Sequence, residues 1–450
     1  MKNTSVIIVV VSVLGFMITG LLGYPFQVDY DSSHLISSML ADESPNITNW
    51  MGWLYPSIIY LCYFITGYPL AIGIFNSLFY WIGISLFCIA LFNDKKRPVL
   101  WYMTVALFPG SLAFITSITN NATLFVTTLM GIGMYMYYRK ISGCKWFLWV
   151  SIAMLVSAIF IRREALIYVL LILIYIYVKE LCGRNETSLK SVIAGIALSV
   201  FSISICLIIE HRLTMKIPGY HVINTIGFTA LFDLNGMSHY KGEVLIPRYI
   251  FREECQNDSL LKSIVLQYND DFYSDSGKGC FWSIDENSKT LKQSPWLTNL
   301  TLDEVAPIYI KNIKYYVLFR FTLLKKYMYT QLFTVYGMDD LLKIKGVNGP
   351  SIISTALGSI ALLTGILLNY VWIALIALFA NGKKYVSYKN GNERWLCIGI
   401  WILLILIILL YMASVPSIQI RYVYPPCLFI WYFSMYTLSL LTEKRVQQVL

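Results

Sequence analysis

Two aspartates, Asp29 and Asp31, stand in the segment YPFQVDYDSSH, directly after the first long apolar run of the chain. Nearly all of the sequence around them is compatible with hydrocarbon, so two carboxylates at this position need a reason. A carboxylate at the mouth of a helical bundle can act as a general base that takes a proton from an acceptor hydroxyl group. The alternatives are an acidic, solvated loop and an Asp-x-Asp site for a divalent cation. His34 lies one helical turn from Asp31 and is a candidate supporting group.

Arginines recur where apolar runs end. Arg162 and Arg163, with Glu164, form a short turn between two such runs. Arg421 lies in SIQIRYVYP, just before the last run, and Arg320 lies in KYYVLFRFTLLKK. The planar guanidinium group donates two hydrogen bonds at once to a phosphate, so we predict that these four arginines bind a phosphate group. The alternative for each arginine is snorkelling to lipid headgroups.

The composition indicates a membrane protein. The chain is 57% hydrophobic and only 13% charged, and its mean hydropathy is +0.62. A soluble domain carries about 25% charged residues, so this chain has too few charges to cover a water-facing surface. Apolar runs of the roughly 20 residues that cross a bilayer recur along it. The sequence therefore predicts an all-α polytopic membrane protein with about ten transmembrane helices.

The ten predicted spans leave one sizeable polar segment. That segment, residues 210–350, is predicted to form a small outer domain between an N-terminal transmembrane module, 1–209, and a C-terminal one, 351–450. Helical signals appear within it near 301–333. The predicted spans are 5–23, 70–92, 99–118, 122–138, 146–161, 165–181, 190–209, 351–380, 395–413 and 423–441.

The formal net charge of +10 does not indicate nucleic-acid binding, because Lys and Arg cluster in the short connections between spans. This distribution follows the positive-inside rule, which sets orientation in a membrane. Loop 93–98 and both termini are therefore predicted to be cytoplasmic, and 210–350 is predicted to be on the outer side. The predicted spans carry no Asp, Glu, Lys or Arg in their interiors, which disfavours an ion-coupled carrier.

The first outer loop, 24–69, carries the two aspartates and has structure of its own. Residues 33–40 are predicted to form a short surface helix. Trp50, Trp53 and Tyr55 are expected at the membrane interface, where amphipathic rings settle. The apolar stretch SIIYLCYFIT that follows is too short to span a bilayer, so we expect it to lie on the outer leaflet or dip into it.

Motifs for other chemistry are missing. The nine cysteines show no C-x-x-C spacing and the four histidines show no metal-ligand spacing, so no metal site is predicted. No P-loop, H-E-x-x-H or G-x-S-x-G motif occurs, so no cofactor or hydrolase chemistry is expected beyond the divalent-cation alternative. Cys255 and Cys280 share the polar outer segment, where an oxidising environment would allow them to form a disulfide.

Several segments in order along the chain resemble the GT-C class of polytopic glycosyltransferases. Within that class they resemble the bacterial and phage enzymes that modify lipopolysaccharide O-antigen, including serotype-converting glucosyltransferases. The resemblance covers most of the chain as topology. The segments that carry it are DYDSSHLISSML, WMGWLYPSIIYL, FPGSLAFITSITNNATLFV, IRREALIYVLL, IKNIKYYVLFR and IQIRYVYPP.

The resemblance implies a polyprenyl-phosphate-linked sugar, such as glucose, as the donor and a periplasmic glycan such as O-antigen as the acceptor. It implies a bacterial inner-membrane protein whose active site faces the periplasm. Asp29 or Asp31 would be the general base, and Arg162, Arg163 and Arg421 would contact the lipid phosphate.

The chain departs from the pattern of this class in two places. Tyr30 separates two carboxylates that are often adjacent in such enzymes. Asn120 and Asn121 stand where many members have a basic or acidic residue, and Asn120 is therefore a candidate supporting residue at the site.

Two other functions share parts of this pattern. An O-antigen polymerase also has many spans and a large outer loop, but it is expected to place more arginine in two large outer loops, and this chain has one. A non-enzymatic flippase or carrier of lipid-linked glycans is expected to line its interior with charge. A transfer assay with defined polyprenyl-phosphate sugars distinguishes the three.

Overall fold

The structure is a computed structural model of the chain, and every structural statement below concerns the residues that it describes. These are residues 2–24, 26–28, 30–40, 47–48, 52–95, 97–163, 165–182, 189–214, 220–221, 223–257, 291–292, 298–326, 352–368, 428–429, 431–436 and 438–439.

The chain is mostly helical, which confirms the all-α prediction at that level. The first helices are α1 (Lys2–Phe16), α2 (Tyr30–Leu40), α3 (Leu54–Thr66), α4 (Ile72–Phe92), α5 (Pro98–Ala106), α6 (Pro109–Ile115) and α7 (Asn120–Tyr137). They are followed by α8 (Lys145–Ile161), α9 (Ala165–Cys182), α10 (Leu189–Thr214), α11 (Thr225–Lys241), α12 (Leu302–Lys311), α13 (Ile313–Lys326) and α14 (Ile352–Leu368).

The strands among the described residues are two residues long and pair in parallel. Strand β1 (Gln27–Val28) pairs with β3 (Ser117–Ile118), and β2 (Ile47–Thr48) pairs with β4 (Tyr220–His221). The β1–β3 pair fixes the start of the first outer loop beside the segment that leads into α7.

The chain divides into two compact units. Among the described residues, the first unit contains α1 to α10, α14, the four strands and the helical pieces within 428–439. The second contains α11 to α13.

Close packing of α4 on α7 forms the centre of the first unit. A Cβ atom at Gly83 would meet the Cα atom of Met130 at 3.0 Å, and one at Gly133 would meet the carbonyl oxygen of Gly83 at 2.5 Å. Small residues at a helix crossing let two backbones approach closely, as in membrane helix pairs. These two glycines therefore set the distance between α4 and α7.

The predicted span 99–118 is wrong as a single helix. The chain forms α5 and α6, which are bent by 49° at the break between them. Pro109 begins α6, and Phe108 before it has an extended backbone (φ −61°, ψ 119°). Proline disfavours the helical conformation of the residue that precedes it, and this explains the break at Phe108.

Fewer spans are found among the described residues than the ten predicted. Two helical segments are long and apolar enough to cross a membrane, Pro69–Phe92 and Leu189–Arg212, and a third is added if α5 and α6 form one bent span. Shorter apolar helices occupy Val6–Leu21, Leu54–Thr66 and Lys145–Ile161. The predicted span 395–413 and most of 423–441 lie outside the described residues.

The helix predicted at 33–40 is present within α2, and one of its faces is buried while Ser37 and Leu40 are exposed. Leu35, Ile36 and Met39 are buried in the first unit. Tyr55, which we expected at the membrane interface, is also fully buried, and its hydroxyl group shares a 2.7 Å hydrogen bond with that of Ser32. Burial of the apolar side chains on one face of α2 stabilises its packing in the first unit.

Helix α3 contains the short apolar stretch SIIYLCYFIT, and it ends at Gly67. Gly67 adopts the left-handed conformation (φ 73°), and its N–H caps the helix. The last turns of α3 expose the large apolar side chains of Leu61, Phe64 and Ile65, and Tyr68, which follows the helix, is also exposed. Its placement on the outer leaflet stays a prediction.

The helical signals near 301–333 are confirmed over 302–326 by α12 and α13 of the second unit, and residues 327–333 lie outside the described residues. Thr301 and Glu304 form a capping box at the start of α12, with the Thr301 N–H donating to Glu304 Oε2 at 3.0 Å. This contact lowers the pKa of Glu304. Helix α13 packs on α11 where Gly236 meets the ring of Phe319.

Candidate anion-binding site

Arg162 is buried at the end of α8. The helix ends at Ile161, and Arg162 follows with an extended backbone (φ −150°, ψ 133°). Only 1% of the residue is exposed. Its Nη1 donates hydrogen bonds to Oδ1 of Asn120 and to Oδ1 of Asn121, each at 3.1 Å. Snorkelling to lipid headgroups is therefore excluded for Arg162, because its guanidinium group points into the protein.

The two asparagines are held by the start of α7. Thr119 is the N-cap residue, and its hydroxyl group accepts a 2.9 Å hydrogen bond from the N–H of Ala122. Threonine is a preferred N-cap because its oxygen satisfies one of the unpaired N–H groups of the first turn. The cap fixes Asn120 and Asn121 as the first two residues of the helix, facing the end of α8.

Both asparagines keep a donor group without a partner. The guanidinium group can only donate, so the oxygen of each amide must face Arg162, and each Nδ2 must point elsewhere. Both Nδ2 atoms are buried, and neither has a hydrogen-bond partner among the described residues. An unsatisfied buried donor costs about 1–3 kcal/mol. The arrangement therefore offers two amide donors beside a buried positive charge, and a group that accepts hydrogen bonds would satisfy them.

Arg163 has a different environment from its neighbour. Its Nη2 lies 3.1 Å from Oε2 of Glu210, and the side chain of Arg163 is 42% exposed while that of Glu210 is 1% exposed. Glu210 lies on α10, which continues to Thr214 rather than ending at the predicted residue 209. Glu210 lies in the last turns of α10, beyond the predicted span 190–209, so it does not contradict the expectation that the interiors of the spans carry no charge.

A glycine positions the first outer loop against the end of α8. Gly52 has a positive φ of 69°, and a Cβ atom there would meet the carbonyl oxygen of Ile161 at 2.8 Å. The next residue, Trp53, packs its ring 5.8 Å from that of Phe160. Only glycine adopts this conformation without strain and allows so close an approach. The loop that carries the predicted base therefore returns to the residue just before Arg162.

The predicted base is only partly described. Asp31 and His34 lie on α2, Asp31 within its first turn, but only their backbones are described. Asp29, Glu164 and Arg421 lie outside the described residues. The role of Asp29 or Asp31 as the base, and of Arg421 as a phosphate ligand, therefore stay predictions.

Arg320 lies in the second unit and pairs with a carboxylate that the sequence did not single out. Its Nη2 is 2.6 Å from Oδ1 of Asp233. The hydroxyl group of Tyr309 donates to Oδ2 of the same carboxylate at 2.9 Å. Burial raises the pKa of Asp233, and the contacts with Arg320 and Tyr309 oppose that rise. The contact with Asp233 raises the pKa of Arg320 against the effect of its burial.

We expect Asp233→Ala to destabilise the second unit by about 3–5 kcal/mol, because it leaves the buried Arg320 without its carboxylate. The double change Asp233→Leu with Arg320→Met should be less harmful than the single change. The measurement is protection of residues 223–257 from limited proteolysis in the full-length protein. Glu243→Ala is the matched control, since Glu243 is 63% exposed in its ion pair with Lys241 and should cost less than about 1 kcal/mol. Equal protection in Asp233→Ala and Glu243→Ala would contradict a structural role for the buried pair.

The remaining predicted groups give no further site. Cys255 is buried, and Cys280 lies outside the described residues, so their disulfide stays a prediction. No group of three or more His, Cys, Asp or Glu that could hold a metal ion is present within the described part of the chain.

Comparison with known proteins finds no relative of this chain. No family model, no curated protein and no solved structure matches the chain. The function proposed below therefore depends on the residues themselves.

Proposed function

We propose that the chain is an integral-membrane glycosyltransferase with a GT-C-like fold of about ten transmembrane helices. It moves a sugar from a polyprenyl-phosphate donor to a periplasmic glycan acceptor such as O-antigen. It belongs in a bacterial inner membrane with its site facing the periplasm. The observation that carries the proposal is the buried Arg162 with the unpartnered amide donors of Asn120 and Asn121.

These groups suit the phosphate of the donor. A phosphate oxygen accepts hydrogen bonds, and it satisfies donors that have no partner in the protein. During transfer, negative charge builds up on the oxygen that leaves the sugar. Fixed donors and a buried positive charge stabilise that charge most strongly where water is excluded.

The reaction balances with the groups of the protein alone. The oxygen of the acceptor hydroxyl group forms a bond to the anomeric carbon of the sugar. The bond between that carbon and the phosphate oxygen breaks, and its electron pair stays on the polyprenyl phosphate. The proton of the hydroxyl group goes to the carboxylate of Asp31 or Asp29. The products are the glycosylated acceptor and polyprenyl phosphate.

The proposed location of the site agrees with the local structure of the first unit. Asn120 and Asn121 begin α7, and Arg162, which follows the last residue of α8, contacts both of them. The β1–β3 pair lies directly before α7. Strand β1 ends at Val28, one residue before Asp29 in the sequence. This strand pair supports the proposal, because it holds the backbone just before Asp29 beside the segment that leads into α7.

The proposal is tested with the purified full-length protein in proteoliposomes. We expect radioactive sugar to move from a polyprenyl-phosphate hexose to lipid-linked O-antigen, with glucose as the first donor to try. Label that stays in the donor for every hexose tested would contradict the proposal. Growth of the glycan chain without addition of single sugars would indicate the polymerase instead.

A further inference from the structure

Another buried polar side chain of the first unit, that of Asn76, has no hydrogen-bond partner among the described residues. Asn76 lies on α4, a helix that is otherwise mainly apolar, and its side chain is fully buried. Within the described residues, neither its Oδ1 nor its Nδ2 makes a hydrogen bond. A buried amide without partners is costly, so its presence in an apolar helix requires an explanation.

Asn76 lies on the face of α4 that packs against α7. Residues 76, 80, 83 and 87 are spaced by three or four positions and form one stripe along the helix. The ring centroids of Tyr80 and Phe125 on α7 are 6.3 Å apart. Gly83 faces the backbone of α7, as described above. Asn76 is the first residue of this stripe.

The two helices run in the same direction where they pack. Tyr80 lies opposite Phe125, and three residues later Gly83 lies opposite Met130, with a Cβ atom at Gly83 meeting the Cα atom of Met130 at 3.0 Å. Position along one helix therefore increases with position along the other.

The backbone contact between Gly83 and Met130 sets the register, which places Asn76 level with the first turn of α7. Asn76 precedes Gly83 by seven residues, and Thr123 precedes Met130 by the same seven. Each residue advances an α-helix by about 1.5 Å, so Thr123 lies about 3 Å along the helix axis from Asn121. Asn76 is therefore level with the turn of α7 that carries Asn120 and Asn121.

We propose that Asn76 binds a hydroxyl group of the donor sugar while Arg162, Asn120 and Asn121 bind the phosphate. This inference rests on the proposed function and adds the recognition of the sugar to it. A phosphate only accepts hydrogen bonds, so it cannot satisfy the Oδ1 of Asn76. A sugar hydroxyl group both donates and accepts, and it satisfies the two ends of a primary amide.

The site therefore distinguishes a glycosyl phosphate from a bare polyprenyl phosphate. Arg162 and the first two residues of α7 bind the phosphate that both lipids carry. Asn76 supplies the contact that only the sugar can make. Loss of that contact leaves two unsatisfied polar atoms, which makes this residue a determinant of donor specificity.

The test measures binding rather than transfer. The full-length protein in nanodiscs is titrated with polyprenyl-phosphate glucose and with polyprenyl phosphate of the same chain length. Asn76→Leu is expected to weaken binding of the glycosyl phosphate about tenfold and to leave binding of polyprenyl phosphate unchanged. Arg162→Gln is expected to weaken binding of both lipids.

A matched control and a second variant sharpen the test. Thr128 also has a buried hydroxyl group without a partner among the described residues, but it lies about two turns further along α7 than Asn121. Thr128→Val should change the binding of neither lipid. Asn76→Ala should repeat the selective loss seen with Asn76→Leu, which guards against a misfolded variant.

Donors that lack one hydroxyl group identify the contact. If Asn76 binds one hydroxyl group, one deoxyglucose donor should bind the wild-type protein as weakly as the glucose donor binds Asn76→Leu. The same deoxyglucose donor should bind Asn76→Leu no more weakly still, because the hydroxyl group and the amide make one shared contact. If Asn76→Leu and Asn76→Ala weakened the binding of both lipids equally, or the binding of neither, the role of Asn76 would be overturned and the proposed function would stand. A wild-type protein that binds neither lipid would overturn the proposed function and this inference together.

Discussion

Replacing Arg162 by glutamine is expected to lower the rate of sugar transfer by a factor of about 10² to 10³, the range found when one fixed donor to a developing negative charge is removed. The change removes the buried positive charge. The fold should persist, because the amide of glutamine can still donate to the oxygen of Asn120 or Asn121. The measurement is the initial rate of transfer in proteoliposomes at saturating acceptor.

Two further variants show whether the loss of rate in Arg162→Gln is specific to the guanidinium group at this position. Arg162→Lys keeps the charge but not the planar fork, so its rate should fall between those of the wild type and Arg162→Gln. Arg139→Gln is the matched control, since Arg139 is 35% exposed and pairs with Glu180 at 3.2 Å near the other end of α7. Transfer by Arg162→Gln within a factor of about three of Arg139→Gln would contradict a role for Arg162 in binding the leaving phosphate.

Conversion of the aspartate proposed as the general base to asparagine is expected to lower the rate of transfer by about 10² to 10⁴, the usual contribution of a general base. Asp31 is the first choice because it lies on α2. Buried Ile36 and the hydrogen bond between Ser32 and Tyr55 hold that helix in place. Asp29 is the second choice. Asparagine is nearly isosteric with aspartate, so donor binding should be retained while transfer is lost.

The aspartate experiment compares four proteins: Asp31→Asn, Asp29→Asn, the double variant and Asp94→Asn. Asp94 lies after α4 in the loop predicted to face the cytoplasm, so its variant should transfer sugar at the wild-type rate. If the double variant also transferred sugar at that rate, no carboxylate of the first outer loop could be the base.

Local sequence signals predicted much of the helical structure. The glycine at position 67 ends α3 because it adopts the left-handed conformation, and Thr301 with Glu304 starts α12 through a capping box. The apolar run at 70–92 matches α4 closely. These features depend on residues within one turn of each other, so a single sequence is enough to predict them.

The contacts that build the site depend on residues far apart in the chain. Arg162 and Asn120 are separated by 42 positions, and no periodicity indicates that they meet. The same holds for Arg163 with Glu210 and for Arg320 with its partner Asp233. The sequence indicated the polar pair at 120–121 through its departure from the GT-C pattern, which made Asn120 a candidate supporting residue. Both residues lie in the first turn of a capped helix, and each accepts a hydrogen bond from Arg162.

The most direct test of the account is the fate of the donor phosphate. Polyprenyl-phosphate glucose is a phosphodiester, and transfer of its sugar leaves a phosphomonoester, so phosphorus NMR of proteoliposomes follows the bond that is proposed to break. The account predicts that wild-type protein with acceptor converts the diester signal to the monoester signal, and that Arg162→Gln slows this conversion at least a hundredfold. A diester signal that persists with wild-type protein and acceptor, for each hexose donor tested, would contradict the account.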